Sequence, residues 1–232
     1  MKYNFVEAQN KKILIFTDQH FGHSKDNPFK LKQTEKCMEW IISTGKKNHV
    51  DYVIFMGDLW EQRFALSVKT MNVAIKCVEE LAISFEKVFL IVGNHDTYYK
   101  NTNEINSIDF LKMISRNENI EIINVDPYYM TISGKTFGLF PWGSNIKEIY
   151  SDQTFNKCDY AFGHFALNGI EMTGGLSVGE KYEFEDIFHL SNIVFSGHYH
   201  KNKLYKSLKS EDARIINGRF SNAVKLGRIQ SR

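Results

Sequence analysis

Close cysteine pairs are missing from this chain, and so are long apolar runs and any strong charge imbalance. Its three cysteines, Cys37, Cys77 and Cys158, are scattered with no CxxC spacing. That excludes a thiolate metal cluster or a disulfide framework, and it fits reduced thiols in a cytosolic protein. No apolar stretch is long enough to cross a bilayer, and the first residues lack a charged-then-apolar signal pattern. The expectation is a soluble cytoplasmic protein with no membrane partner. A formal net charge of +2 does not mark a nucleic-acid binder, because local patches decide that. There is no internal repeat, low-complexity segment or linker, so residues 1–232 are expected to form one domain.

What the chain does have is a series of strands ending in ligand-type residues. Lys12-Ile-Leu-Ile-Phe-Thr17 reads as a buried strand and runs into Asp18-Gln-His20-Phe-Gly22. Asp51–Met56 ends at Gly57-Asp58, and Lys87–Val92 ends at Gly93-Asn94-His95-Asp96. Tyr160–Phe162 meets Gly163-His164, and Asn192–Phe195 leads to Gly197-His198-Tyr-His200. In extended chain, an i, i+2 pair such as Asp18/His20 or His198/His200 projects to one side. Open α/β sheets hold their ligand sites at carboxyl strand ends.

Between these strands, residues 31–47 predict a helix with Cys37, Trp40, Ile41 and Thr44 on one face, after a polar loop containing Pro28. Residues 67–85 predict a second helix, with Met71, Ala74, Ile75, Val78 and Leu81 inward. Ser107 to Ile114 predicts a short helix capped by Ser107. Residues 120–125, 128–133 and 136–140 predict a meander or hairpin pair, and 214–216 is a last apolar run. The fold class is α/β, with two sheets faced by helices.

The five strand ends offer oxygen and imidazole nitrogen and no thiolate. That donor set suits divalent Mn, Fe, Zn or Ni. Each motif alone has an ordinary explanation as a turn, a cap or a core histidine. All five in sequence do not. His23, His49 and His189 fall off the pattern and are read as surface or structural residues.

In this order the motifs resemble the calcineurin-like metallophosphoesterases over about residues 12–201. The resemblance implies a four-layer α/β/β/α sandwich. One metal would take Asp18, His20 and His200, and the other Asn94, His164 and His198, with Asp58 between them. His95 would be the catalytic acid or transition-state stabiliser, oriented by Asp96. Two ions roughly 3.5–4 Å apart can clamp a phosphoryl group and make a hydroxide nucleophile available near neutral pH.

Residues 57–63, Gly-Asp-Leu-Trp-Glu-Gln-Arg, lack the Asp-Arg-Gly element of the related protein phosphatases. Asp18-x-His20-x-Gly22, Gly57-Asp58-Leu59-Trp60, Gly138-Leu-Phe-Pro141-Trp142 and Phe195-Ser-Gly-His-Tyr-His200-Lys201 instead resemble SbcD-type double-strand-break repair nucleases and their phage counterparts. That implies a Mn-dependent DNA exonuclease and endonuclease, often a homodimer, partnered by an SMC-like ATPase, in a host cytoplasm if phage-encoded. Glu61 departs from the histidine many such nucleases have there. The chain also leaves no room for their capping domain, so a missing remainder or a smaller esterase for nucleotides or phosphorylated metabolites is the competing expectation. Lys201, Lys203, Lys206 and Lys209 could contact phosphates, or form a solvated edge. Trp60, Phe64, Tyr98 and Tyr99 could stack on a base or pack beneath loops.

Overall fold

A computed structural model describes residues 7–100, 102–114, 118–170, 182–200, 203–207, 210 and 212–217. Four parallel strands, β2 (Ile13–Phe16), β3 (Tyr52–Phe55), β4 (Lys87–Ile91) and β5 (Ile120–Ile123), form one sheet in that order. The second sheet runs β1 (Glu7–Ala8), β6 (Tyr128–Ile132), β7 (Lys135–Phe140), β8 (Cys158–Gly163), β9 (Ser191–Ser196), β11 (Arg214–Asn217), β10 (Lys203–Lys206).

Three apolar layers separate four layers of structure. Ile13, Ile15, Ile54, Phe89 and Ile91 from the first sheet meet Met130, Phe137, Phe162 and Phe195 from the second. On the first sheet's other face, Leu14, Phe16, Val53, Phe55 and Leu90 pack against helices α2 (Pro28–Lys47), α3 (Val68–Ser84) and α4 (Asp109–Ile114). On the second sheet's other face, Ala161, Val194 and Ile215 pack against α5 (Ile146–Ser151) and α6 (Phe184–Phe188). Alternate residues of β2 and β3 therefore go to opposite layers, as a period of two requires. Both faces are covered, which is why these strands read as continuous apolar runs. Each fully buried aromatic in such a layer contributes roughly 1.5–3 kcal/mol. The architecture is the α/β/β/α sandwich the sequence implied.

Several local expectations change. Pro28 is not in a loop: it opens α2, where Asn27 accepts from the backbone N–H groups of Phe29 and Lys30. The buried face of α2 is Leu31, Met38, Ile41, Ile42 and Gly45, so Trp40 falls on the exposed side. In α3, Ser67 caps as expected by accepting from Thr70 N. The cap of α4 is Asn106, which accepts from Ile108 N and Asp109 N, and not Ser107, whose hydroxyl donates to the Asp96 carbonyl. Residues 120–140 are not one meander. β5 pairs with β4 in the first sheet, Asp126-Pro127 carries the chain across, and only β6–β7 is a hairpin, closed at Ser133-Gly134 with positive φ at both. Ahead of α2, α1 (His23–Asp26) is a single turn with left-handed φ/ψ at Ser24 and Lys25.

Candidate metal centre

The carboxyl ends of β2, β3 and β4 from one sheet, and of β8 and β9 from the other, converge on one place. Backbone bonds lock the loops in register. Asp18 N donates to Gly57 O (3.0 Å), His20 N to Asp58 O (3.1 Å) and Gly197 N to Gly163 O (3.0 Å). Asp18, His20, Asp58 and His198 all hold positive φ, at 58°, 49°, 58° and 81°. Left-handed backbone at non-glycine residues costs of order 1–3 kcal/mol each and gathers where the surroundings over-determine it, most often at functional sites. Gly57, at φ 99°, must stay small. A Cβ there would lie 2.7 Å from His164 Nδ1 and 2.8 Å from the Gly93 Cα.

The ligand atoms form overlapping clusters. Asp18, His20 and His200 make one group and Asp58, His164 and His198 another, each with its donor atoms within 4.8 Å of one another. Asp58 stands between the groups, its Oδ2 3.8 Å from His20 Nε2 and 3.2 Å from His164 Nε2. Asn94 Oδ1 lies 3.0 Å from His164 Nε2 and 2.8 Å from His198 Nδ1, joining the second group. His164 Nδ1 donates to the Met56 carbonyl at 2.8 Å, which leaves Nε2 for the site. All seven ligand-type residues singled out in the sequence thus come together.

His95 joins from the β4 loop. Its backbone N donates to Asp58 Oδ1 (2.8 Å), and its ring nitrogen Nδ1 donates to the Glu61 carbonyl (2.5 Å). Asp96 does not orient that ring directly. Its buried carboxylate accepts from the backbone N–H groups of Asp58, Leu59, Trp60 and Gly93, at 2.8–3.2 Å, and so ties the β3 and β4 loops together.

Glu61 was legible only as a departure from a pattern. Besides its carbonyl on His95, its Oε2 lies 3.0 Å from His20 Nδ1, at ion-pair range without an aligned hydrogen bond, and 3.4 Å from His23 Nδ1. His23 is therefore at the rim of the site. Trp142, tilted over His198 at 5.3 Å, adds an aromatic wall. Trp60 is fully buried, stacked on Phe110 at 5.9 Å, and is a packing residue. Lys203 and Lys206 lie on the exposed edge strand β10, while Lys201 and Lys209 lie outside the described residues.

The electrostatics of these side chains fit cations. Burial alone would depress the His20 imidazolium, but the Asp18, Glu61 and Asp58 carboxylates lift it to about 10. For His164, burial is likewise outweighed, here by Asp58, and its pKa rises to about 9. Burial, assisted by the charge on His164, pushes His198 down to about 3, leaving it neutral. Against desolvation, the neighbouring imidazoles draw Asp18 and Asp58 below the usual carboxylate range. Two buried carboxylates thus recruit protons onto histidines where positive charge is needed. Divalent ions would supply that charge and displace those protons. An oxygen and imidazole donor set without thiolate agrees.

Fold and site together define a metallophosphoesterase. Residues 11–202 match the calcineurin-like phosphoesterase family, and the chain belongs to that family, whose members use a dinuclear metal centre. Among relatives, it is 29% identical over 192 residues to exonuclease subunit 1 of Enterobacteria phage T4, covering 82% of this chain and 55% of that protein. The chain spans about half the length of the curated relatives it matches. Two solved structures share the fold. A dimetal phosphatase from Danio rerio has TM-score 0.56 and 11% identity, with 89% of this chain and 86% of that one covered. The purple acid phosphatase PPD1 of yellow lupin has TM-score 0.58 and 13% identity, with 97% and 46% covered. No helix among the described residues is long and apolar enough to cross a membrane.

Proposed function

We propose that this chain is a phosphodiesterase acting on DNA, an exonuclease and endonuclease of the recombination-repair type. The observation that carries the phosphodiester chemistry is the sharing of Asp58 between two ligand groups. In this reading Asp18, His20 and His200 would hold one ion, Asn94, His164 and His198 the other, and Asp58 would serve both. Mn is the first choice, with Fe, Zn or Ni compatible with the same donors. When bound, the ions supply charge neutralisation at the phosphoryl oxygens and activation of water.

The remaining work belongs to side chains. With Nδ1–H donating to the Glu61 carbonyl, the protonated His95 imidazolium would give its Nε2 proton to the leaving oxygen and be left as the neutral ring with Nδ1–H still held. A His95 ring nitrogen lies within 4.8 Å of a His20 ring nitrogen and an Asp58 carboxylate oxygen, which supports a role for it at this site. Neutral Asn94 adds a ligand without adding negative charge, which helps admit an anionic ester. DNA as the substrate is supported by the 29% identity to a phage exonuclease subunit. An SMC-like ATPase partner, homodimer assembly and a cytoplasmic location, in the host if phage-encoded, belong to the same reading.

The test is Mn-dependent degradation of linear double- and single-stranded DNA, with His95→Ala as control. Degradation that disappears in the variant is expected. A protein that leaves DNA intact but hydrolyses a small phosphodiester would instead act on nucleotides or phosphorylated metabolites.

A further inference from the structure

Three large aromatics on the loops after β3 and β4 remain in solvent. Phe64, Tyr98 and Tyr99 are 75%, 47% and 47% exposed, whereas Trp60 a few residues away is fully buried. They nonetheless pack on one another. Phe64 and Tyr98 meet edge to face at 5.3 Å and 89°, and Tyr98 meets Tyr99 at 4.8 Å and 89°. Edge-to-face contacts hold rings in place while leaving other ring faces open.

Position connects these rings to the site. Phe64 follows Glu61 on the loop after β3, and Tyr98 follows His95 on the loop after β4. Asp96 and the Glu61 carbonyl already tie these two loops together, and the Phe64–Tyr98 contact continues that seam outward. Tyr98 lies three positions after His95, so their Cα atoms are at most about 11 Å apart. A strand with one phosphate at the proposed ions would therefore have neighbouring bases within reach of this seam.

Charge points to the same occupant. Arg63 precedes Phe64, and Lys100, which is exposed, follows Tyr99. Among the described residues, Arg63 Nη1 is buried with no hydrogen-bond partner. The residue as a whole is only half-buried, so the rest of its side chain lies at the surface beside Phe64. A protein–protein patch is depleted of charge at its centre. Aromatics flanked by basic residues on both loops are instead the combination that binds single strands.

We propose that Phe64, Tyr98 and Tyr99 form a stacking platform for unpaired nucleobases, with Arg63 and Lys100 contacting the adjoining phosphates. This rests on the nucleic-acid reading of the site and names the form of substrate it receives. The test is fluorescence anisotropy with a labelled single-stranded oligonucleotide, on wild type and on Phe64→Ala/Tyr98→Ala, with turnover of a small chromogenic phosphodiester measured in parallel. Losing one stacked base is expected to weaken binding about 5- to 150-fold, with chromogenic turnover unchanged. Unchanged oligonucleotide affinity would overturn the platform. So would equal losses on both measurements, or a variant that sediments as a monomer where the wild type is a dimer. Binding through the rings without any cutting of the oligonucleotide would uphold the platform while removing the nuclease reading.

Discussion

At the scale of single residues, the site depends on which histidine nitrogen is held and by what. The Glu61 carbonyl holds His95 Nδ1, and the Glu61 carboxylate faces His20 Nδ1. One residue thereby positions the proposed proton donor and a proposed ligand. A carboxylate behind a ligating imidazole raises its basicity, and losing such a partner commonly weakens metal binding 10–100-fold. Glu61→Gln keeps the carbonyl and is expected to lower metal affinity by roughly that factor, read by metal titration. Unaltered affinity would leave Glu61 only its backbone role. His95→Ala is expected to retain metal but to slow turnover by roughly 10²–10⁴-fold, the scale of general acid catalysis. Turnover at the wild-type rate would reject His95 as the acid. The seven ligand-type residues were legible in the sequence because each follows a short apolar run and a glycine or an i, i+2 spacing, although Asp18, His20 and His198 hold left-handed backbone and not the extended chain that spacing assumed. Glu61 carries no such pattern. Its contacts with His95, His20 and His23 exist only after the β3 loop folds against the loops of β2 and β4.

At the scale of elements, five parallel strand ends act as one scaffold, and Asp96 fastens two of its loops. Burial, together with the Asp58 charge, raises the Asp96 carboxyl to about 6 even though backbone N–H groups pull it down. Its four backbone bonds therefore hold the β3 and β4 loops around a group that desolvation disfavours. Asp96→Ala is expected to destabilise the fold by about 3 kcal/mol or more, because buried N–H groups lose their acceptor. It should also weaken metal binding although Asp96 is no ligand. Denaturant unfolding and metal titration of the variant check both, and a change under 1 kcal/mol would mean the loops hold without it. Apart from β1 and β10, which carry no apolar run, the strands were readable from apolar run length, and α2 and α3 from helical spacing. Partners across sheets were not. Nothing local in Ile120–Ile123 says that it pairs with β4, while the next strand, β6, joins the other sheet. The Asn106 cap was hidden for a similar reason, since the adjacent Ser107 has equal capping chemistry and only its bond to Asp96 removes it.

At the scale of the whole molecule, folding, protonation and metal binding are linked. His20 and His164 have folded pKa values of about 10 and about 9, above the usual 6.5. The stability they supply to the metal-free protein is complete below about pH 6.5 and is lost as pH rises through 9 and 10. Metal-free protein is therefore expected to lose melting temperature between pH 7 and 9. Metal-loaded protein, whose histidines have already released those protons, should lose much less. Parallel pH profiles with and without metal would contradict this linkage. The four-layer sandwich makes the coupling possible, because each proposed ion takes ligands from both sheets.

The most direct measurement is the number of metal ions bound per chain, by elemental analysis of equilibrated wild type and Asp58→Ala. Two ions per chain are expected in the wild type. Loss of both from the variant, with activity, is expected because one carboxylate serves both positions. A single ion in the wild type, or two retained without Asp58, would contradict a dinuclear centre built on that residue.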